Sequence, residues 1–492
     1  MRCERLTVRS LRRPAESPRR PPYLAIGCVG PVFQGDPFIV RKFLLIPLVL
    51  VIYVLAGGPT ALAHSGKQSY VYLGFYDSEV DGRVEIPVRD LGPVLGIDFG
   101  TNRETITAAL EANRDEIISY VDSHMALESV DGDEWALEYG AVSVLNLGAN
   151  SYLLFPFDVA EDFDEAPREV VVEFDAIIEV DPDKDALLHI ENDVRSGVVK
   201  NESDPILGFS TGQTVQTVAL KTAPTLTQLG AVRGLGTDGV RDGVVHVLFV
   251  GVLMAPVALL ARRQGFRDPA PSTLAVVRRA AVVLAAFGGG ALVTLWLTGL
   301  GVIDLSSRSV VAATSVSLLA VSVWAVLAWL RPPLTAREPA VIAVLGMLQG
   351  LGFGTTFVND SLDRSRTVLS LVGFSLGVAA AVLVVASLAL LPMALLRRTP
   401  LAPVVLVVAA AIGGAYASAW IFEGLLDADW SLKRWANPWG VWPRNLVLAL
   451  VGAAIAAGLR ALFAARGALR PVGADPDPSN DRPAERETVA SR

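Results

Sequence analysis

From Gly243 to about Phe463 the chain runs as a succession of apolar blocks, each close to the roughly twenty residues an α-helix needs to cross a bilayer. That repetition, more than any other feature, restricts the fold. Backbone polar groups in hydrocarbon must be satisfied within their own segment, so blocks of this kind form helices. The length rule predicts about seven spans. They lie near Gly243–Ala261, Ala280–Val302, Ser309–Leu330, Ala340–Val358, Thr367–Leu391, Pro403–Phe422 and Leu446–Phe463. No span interior contains Asp, Glu, Lys or Arg; Arg460 lies in the last turn of the seventh, where its side chain can snorkel. The interiors hold Gly, Ala, Ser and Thr, the close-packing residues of membrane helices.

Loop charge sets an orientation. Arg262, Arg263, Arg267, Arg278 and Arg279 crowd the first loop, which is therefore expected to be cytoplasmic. Arg331 with Arg337, Arg397 with Arg398, and Arg460 with Arg466 and Arg470 fall on the same side. The opposite loops carry Asp304, Asp360, Asp363, Glu423, Asp427 and Asp429. The last of these loops also has Trp430, Trp435, Trp439 and Trp442, an interfacial aromatic segment. The expectation is a multi-pass cell-membrane protein with its N-terminal half outside and its C-terminus in the cytoplasm.

The N-terminal half differs in kind. Between His64 and Lys221 roughly thirty acids face about ten bases, which excludes a nucleic-acid surface built on clustered Lys and Arg. Ser69–Tyr76, Arg83–Val88, Met125–Val130, Trp135–Tyr139, Val142–Leu147, Tyr152–Phe157, Val170–Val180 and Ala186–Glu191 read as short strands. Asp131-Gly132 is a hairpin turn signal, and Thr107–His124 has the spacing of one helix. The expected fold is a β-rich, sandwich-like exported domain followed by an all-α polytopic membrane bundle. The boundaries drawn are an extension and signal peptide at 1–63, the acidic β-rich domain at 64–222, a linker at 223–242, the transmembrane domain at 243–470 and a disordered tail at 471–492.

The signal reading rests on Arg41-Lys42, the apolar run Phe43–Ala56 and the small-residue site Ala61-Leu62-Ala63. It is complete from Val40 onward, which points to Val40 as the initiator. Both cysteines, Cys3 and Cys28, precede the cleavage site, so the mature chain would have no disulfide and no thiolate ligand.

Candidate chemistry is sparse. Gly208-Phe209-Ser210-Thr211-Gly212 fits a nucleophile elbow, but its sequel alternates like a strand where the elbow requires a helix. Asp181-Pro182-Asp183-Lys184-Asp185 begins like a calcium loop, yet Ala186 and Asn192 stand where Gly and Glu are needed, and a hairpin turn between Ile177–Val180 and Leu187–Ile190 is the better reading. No enzyme reading follows. Cleavage after Ala63 would make His64 the N-terminus, whose α-amine and imidazole can chelate Cu(II) with help from His124, His189 or a carboxylate. His246 is the one histidine of the membrane half, just inside the first span behind Arg241 and Asp242. An ionisable group there is a functional candidate by default.

The order and spacing of several motifs carry a resemblance. Gly243-Val244-Val245-His246-Val247-Leu248-Phe249 is similar to the G-x-D-H-L-L-F of the HupE/UreJ family. Leu345–Gly354 is similar to its F-G-L-I-H-G-F-G-F-A, and Phe374-Ser375-Leu376-Gly377-Val378 to its F-N-L-G-V-E. Ala63-His64, Ser69–Leu73 and the Val171–Ile190 stretch resemble the exported domain of its larger members. The resemblance implies a multi-span protein associated with nickel uptake. It also shows where this chain departs: Gly239, Val245, Gln349, Ser375 and Ala379 occupy the family's polar positions, and only His246 remains.

The leading expectation is a divergent nickel- or cobalt-type permease that has lost most candidate ligands. The competing one is a non-transporting envelope module whose exported domain binds a partner or a metal. Expected associations are the lipid bilayer and a transient nickel, cobalt or copper ion, with His246 and His64 as metal candidates and Gln349 and Ser375 as intramembrane polar groups. His246 and Gln349 are expected to approach each other on neighbouring spans. The pair reads either as a surviving ligand with its hydrogen-bond partner or as a buried interhelical contact. The second is favoured because one imidazole cannot alone hold a transition metal against water.

Overall fold

The computed structural model describes residues 68–147, 150–259, 273–330, 338–396 and 402–426. The signal segment, His64, the expected seventh span, the tryptophan-rich loop and the tail lie outside the described residues.

The acidic half forms two sheets. The larger contains β1 (Ser69–Phe75), β2 (Val80–Pro87), β5 (Leu137–Tyr139), β6 (Ser143–Leu147), β7 (Asn150–Val159), β9 (Ala186–Asp193) and β10 (Leu207–Phe209). Its order is β10-β9-β1-β2-β7-β5, with β6 also on β7. The β1–β9 pair is parallel and the others are antiparallel. The smaller sheet runs β11 (Val215–Ala219), β8 (Glu169–Phe174), β3 (Met125–Glu128), β4 (Glu134–Trp135). Both sheets feed one core. Val71, Leu73 and Phe75 of β1 and Phe155 of β7 meet Val170, Val172 and Phe174 of β8, with Ile106, Leu110, Ile117 and Val121 from the helices described next. The alternate residues Tyr70 and Tyr72 point to the other face and pack with Tyr152.

Three short helices accompany the sheets: α1 (Val88–Leu95), α2 (Arg103–Ala112) and α3 (Arg114–Ser123). The single helix expected over 107–124 is therefore two, broken at Asn113. The Asn113 side chain donates to the Ala109 carbonyl at 2.8 Å, the local bond by which Asn competes with helix continuation. The Asp131-Gly132 hairpin joins β3 to β4 as expected. The expected strand at 135–139 splits at Ala136, because the chain crosses there from the smaller sheet to the larger. The hairpin expected around Asp181–Asp185 is absent: β8 and β9 belong to different sheets, and the connection turns at Ile177, whose φ is 71°. Alternation marks a strand but does not name its partner. Ser210 sits in a turn between β10 and β11, so no helix follows it to make an elbow.

The apolar half contains α4 (Thr225–Asp242), α5 (Val244–Leu259), α6 (Thr273–Gly299), α7 (Ser307–Leu330), α8 (Glu338–Asn359), α9 (Thr367–Leu396) and α10 (Ala402–Leu426). Among the described residues five helices, α6 to α10, are long and apolar enough to cross a membrane. A sixth crossing results if α4 and α5, bent by 73° at their junction, form one broken span. The count of seven is not reached in the described residues.

The stretch 223–242, expected as a linker, holds α4. Gln228, Val232, Leu235, Gly236 and Val240 are buried at helical spacing. Gly236 lets α4 touch α9: a β-carbon there would lie 2.2 Å from the Phe374 carbonyl oxygen. Small residues permit such close backbone approach.

The β-rich domain is fastened to the turn between α8 and α9. Arg364 in that turn lies 4.1 Å over the Tyr76 ring and bonds to Glu79 at 3.0 Å and to Asp81. The Asp77 N–H donates to the Arg364 carbonyl at 3.3 Å, and the Asp77 carboxylate accepts from the Arg366 N–H. Lys200 pairs with Asp360. Burial pushes the Asp81 carboxyl above the ordinary carboxylate range, against the pull of the Arg364 guanidinium. Burial, with the Asp81 charge, also raises Tyr76.

Candidate functional site

The break between α4 and α5 falls at Gly243, and His246 occupies the first turn of α5. Its backbone N–H donates to the Gly243 carbonyl at 2.9 Å. The imidazole points into the bundle and is 8% exposed, while Gln349, midway along α8, is fully buried. His246 Nδ1 lies 2.5 Å from Gln349 Oε1. Gln349 Nε2 donates to Ser317 Oγ at 2.7 Å and to the Thr314 carbonyl at 3.2 Å, both on α7. Ser317 Oγ donates in turn to the Thr314 carbonyl at 2.7 Å. One network thus ties α5, α7 and α8.

The network assigns a tautomer. The Thr314 carbonyl only accepts, so the Gln349 amide must turn its NH2 toward α7 and its oxygen toward His246. That oxygen accepts from Nδ1–H. The neutral imidazole then carries a bare lone pair on Nε2. Two glycines pack closely against that edge of the ring. A β-carbon on Gly352 would lie 2.9 Å from His246 Cε1 and 3.2 Å from Nε2, and one on Gly243 would lie 2.5 Å from Cδ2. The ring is also held against Phe353, with centroids 4.1 Å apart.

Of the other expected residues, Ser375 lies apart. It accepts from Trp296 Nε1 at 3.1 Å and joins α9 to α6. His189, proposed as a helper for His64, is buried on β9 against Tyr72, with ring centroids 4.8 Å apart. His124 stands at the end of α3 beside Asp175. Three polar neighbours carry no clear sequence signal. Thr314 and Ser317 looked like ordinary packing residues, although their spacing of three places them on one helix face. Asp238 forms a group with Arg241 and Asp242 one turn before the break, with Arg241 bonded to Asp238 at 2.9 Å and to Asp242 at 3.0 Å. It was hidden inside the expected linker.

Residues 215–424 match the family described as HupE / UreJ protein. The chain has no match among curated proteins. The matched stretch begins at β11 and takes in α4 to α9 and most of α10, so it contains the broken helix pair, His246 and Gln349. Over these residues the chain is similar to the HupE/UreJ family, and the same stretch carries the helices long and apolar enough to cross a membrane.

Proposed function

We propose that this protein passes a divalent metal ion of the nickel or cobalt class across the cell membrane, and that His246 is the side chain the ion meets in the helical domain. What supports the reading is the Nε2 lone pair that the Gln349 bond to Nδ1 leaves on His246, at the first turn after a helix break. A hydrogen-bond partner on one ring nitrogen is how proteins orient a ligating imidazole through the other. Discontinuous helices are a common way for membrane transporters to build an ion site away from lipid. A single imidazole with water as co-ligand is a weak site, and passage requires an ion that leaves as well as enters. The salt-bridged Asp238, Arg241 and Asp242 lie next to the break on the approach to it. Loop charge supports an arrangement with the β-rich domain outside the cell, and the contact of that domain with the α8–α9 turn is compatible with it.

A second reading has its own support. Gln349 makes good bonds with both its oxygen and its nitrogen, as a purely structural tie would, and the β-rich domain is fastened by several charged contacts. That combination fits an envelope module that does not transport and binds a partner or a metal outside. Cellular nickel and cobalt in cells expressing wild type, His246→Asn or empty vector separates the two. Wild type well above vector, with the gain lost in His246→Asn, supports passage; wild type equal to vector supports the envelope module.

A further inference from the structure

We propose that His124, Asp175 and Glu179 form a binding site for a divalent transition-metal ion in the β-rich domain, independent of any passage through the helices.

The sheet places the first two residues. Met125 of β3 and Phe174 of β8 are register partners, so His124 and Asp175 face each other one step beyond the ladder. The Asp175 N–H donates to the His124 carbonyl at 3.2 Å. Glu179 is returned to the same spot by the turn after β8. There Ile177 takes a φ of 71°, which a β-branched residue rarely adopts, and its N–H donates to the Tyr120 hydroxyl at 2.9 Å. The Glu179 N–H closes the turn on the Asp175 carbonyl at 3.0 Å. Tyr120 also packs against the imidazole, with ring centroids 4.4 Å apart, which holds the ring between the two carboxylates.

The side-chain geometry then asks for a cation. His124 Nδ1 lies 2.7 Å from Asp175 Oδ1, and Nε2 lies 3.1 Å from Glu179 Oε1. Carboxylates only accept, and a neutral imidazole donates from one nitrogen. With Nδ1–H given to Asp175, the Nε2 lone pair confronts a carboxylate oxygen. A metal ion relieves that opposition. Bonds of about 2.0–2.1 Å to Nε2 and Oε1 would subtend roughly 100° across the observed separation, between the octahedral and tetrahedral angles. Asp175 on the far nitrogen is the carboxylate that commonly orients a metal-bound imidazole. One ligand atom from each residue lies within 4.8 Å of the other two. Asp175 and Glu179 are partly open to solvent, which lets water complete the shell. A donor set of imidazole and carboxylate selects Co(II), Ni(II) or Zn(II) over the oxygen-seeking Ca(II) and Mg(II). The competing occupant is a proton, which would make the cluster a plain ion pair.

The test uses the full-length protein in detergent, with Co(II) as the probe, read by equilibrium dialysis and by visible absorption. Wild type and His246→Asn should both bind a Co(II) that His124→Gln lacks. Glu179→Gln changes a partly exposed side chain and should stay folded by circular dichroism while weakening that Co(II) at least about tenfold, and Asp175→Asn should weaken it by about 10–100-fold. Unchanged Co(II) stoichiometry and affinity in folded Glu179→Gln, or wild type that binds none at this position, would overturn the site in favour of the ion pair. Because the His246→Asn arm reports on the helical domain separately, failure here leaves the transport reading standing, and the converse holds too.

Discussion

His246 Nδ1 and Gln349 Oε1 meet at 2.5 Å across the gap between α5 and α8, with the amide's other end spent on Ser317 and Thr314. Every polar atom of the Gln349 amide is therefore committed, and removal of either partner strands the other. Interhelical polar contacts in membranes contribute on the order of 0.6–2 kcal/mol, and an abandoned buried acceptor costs about 1–3 kcal/mol.

His246→Leu should therefore lower the unfolding midpoint in detergent, because the Gln349 oxygen is left unpaired. His246→Asn keeps a donor near that oxygen and should lose less. Thermal unfolding of the two variants side by side checks the order. A leucine variant as stable as wild type would mean the hydrogen bond contributes nothing.

Gly352→Ala tests the space beside the ring. The new methyl would lie 2.9 Å from His246 Cε1 and 3.1 Å from Thr314 Cγ2, closer than either tolerates. Overpacking of this kind costs typically about 1–3 kcal/mol. The expected result is a folded but less stable protein with reduced cobalt uptake, since the displaced imidazole loses its fixed Nε2 direction. Unchanged stability and uptake would show that the ring is not confined there.

Much of this site was legible in the sequence, and the reasons for the gaps are physical. Span ends were readable because bilayer thickness fixes a length, and α7 and α8 begin within two residues of the expectation. His246 and Gln349 could be paired through the resemblance to the family's motifs. By contrast, α4 was read as a linker because its buried face is short and glycine-bearing, with hydrophobicity too weak to stand out. Strand periodicity said nothing of sheet membership, which is why Trp135 and Leu137 fell in one expected strand but lie in different sheets. Arg364 carries no sequence signal of its role, since its partners Glu79 and Asp81 lie far away in sequence.

Arg364→Ala should loosen the β-rich domain from the α8–α9 turn. It removes the bonds to Glu79 and Asp81 and the stacking on Tyr76. The partners are partly exposed, so the expected loss is on the order of 1–3 kcal/mol. Limited proteolysis should show faster cleavage near residues 220–225. Equal cleavage of variant and wild type would show that Arg364 does not fasten the domain.

Acidity should act on the same contact. The Asp81 carboxyl is raised in the folded protein, burial outweighing Arg364, so the folded state binds this proton more tightly than the unfolded chain does. Its contribution to stability is full below the ordinary carboxylate value of 3.8 and is lost as pH rises through the raised folded value. Asp81→Asn should flatten stability against pH in the window just above that ordinary value. An identical profile for variant and wild type would contradict the assignment.

An ion in passage should meet His246. Purified protein reconstituted into liposomes that enclose a cobalt-quenched dye measures that passage without other cellular proteins. Wild type should quench the dye well faster than protein-free liposomes, and His246→Asn, shown folded by its unfolding midpoint, should fall to the protein-free rate. Wild type no faster than protein-free liposomes, or His246→Asn as fast as wild type, would contradict the claim.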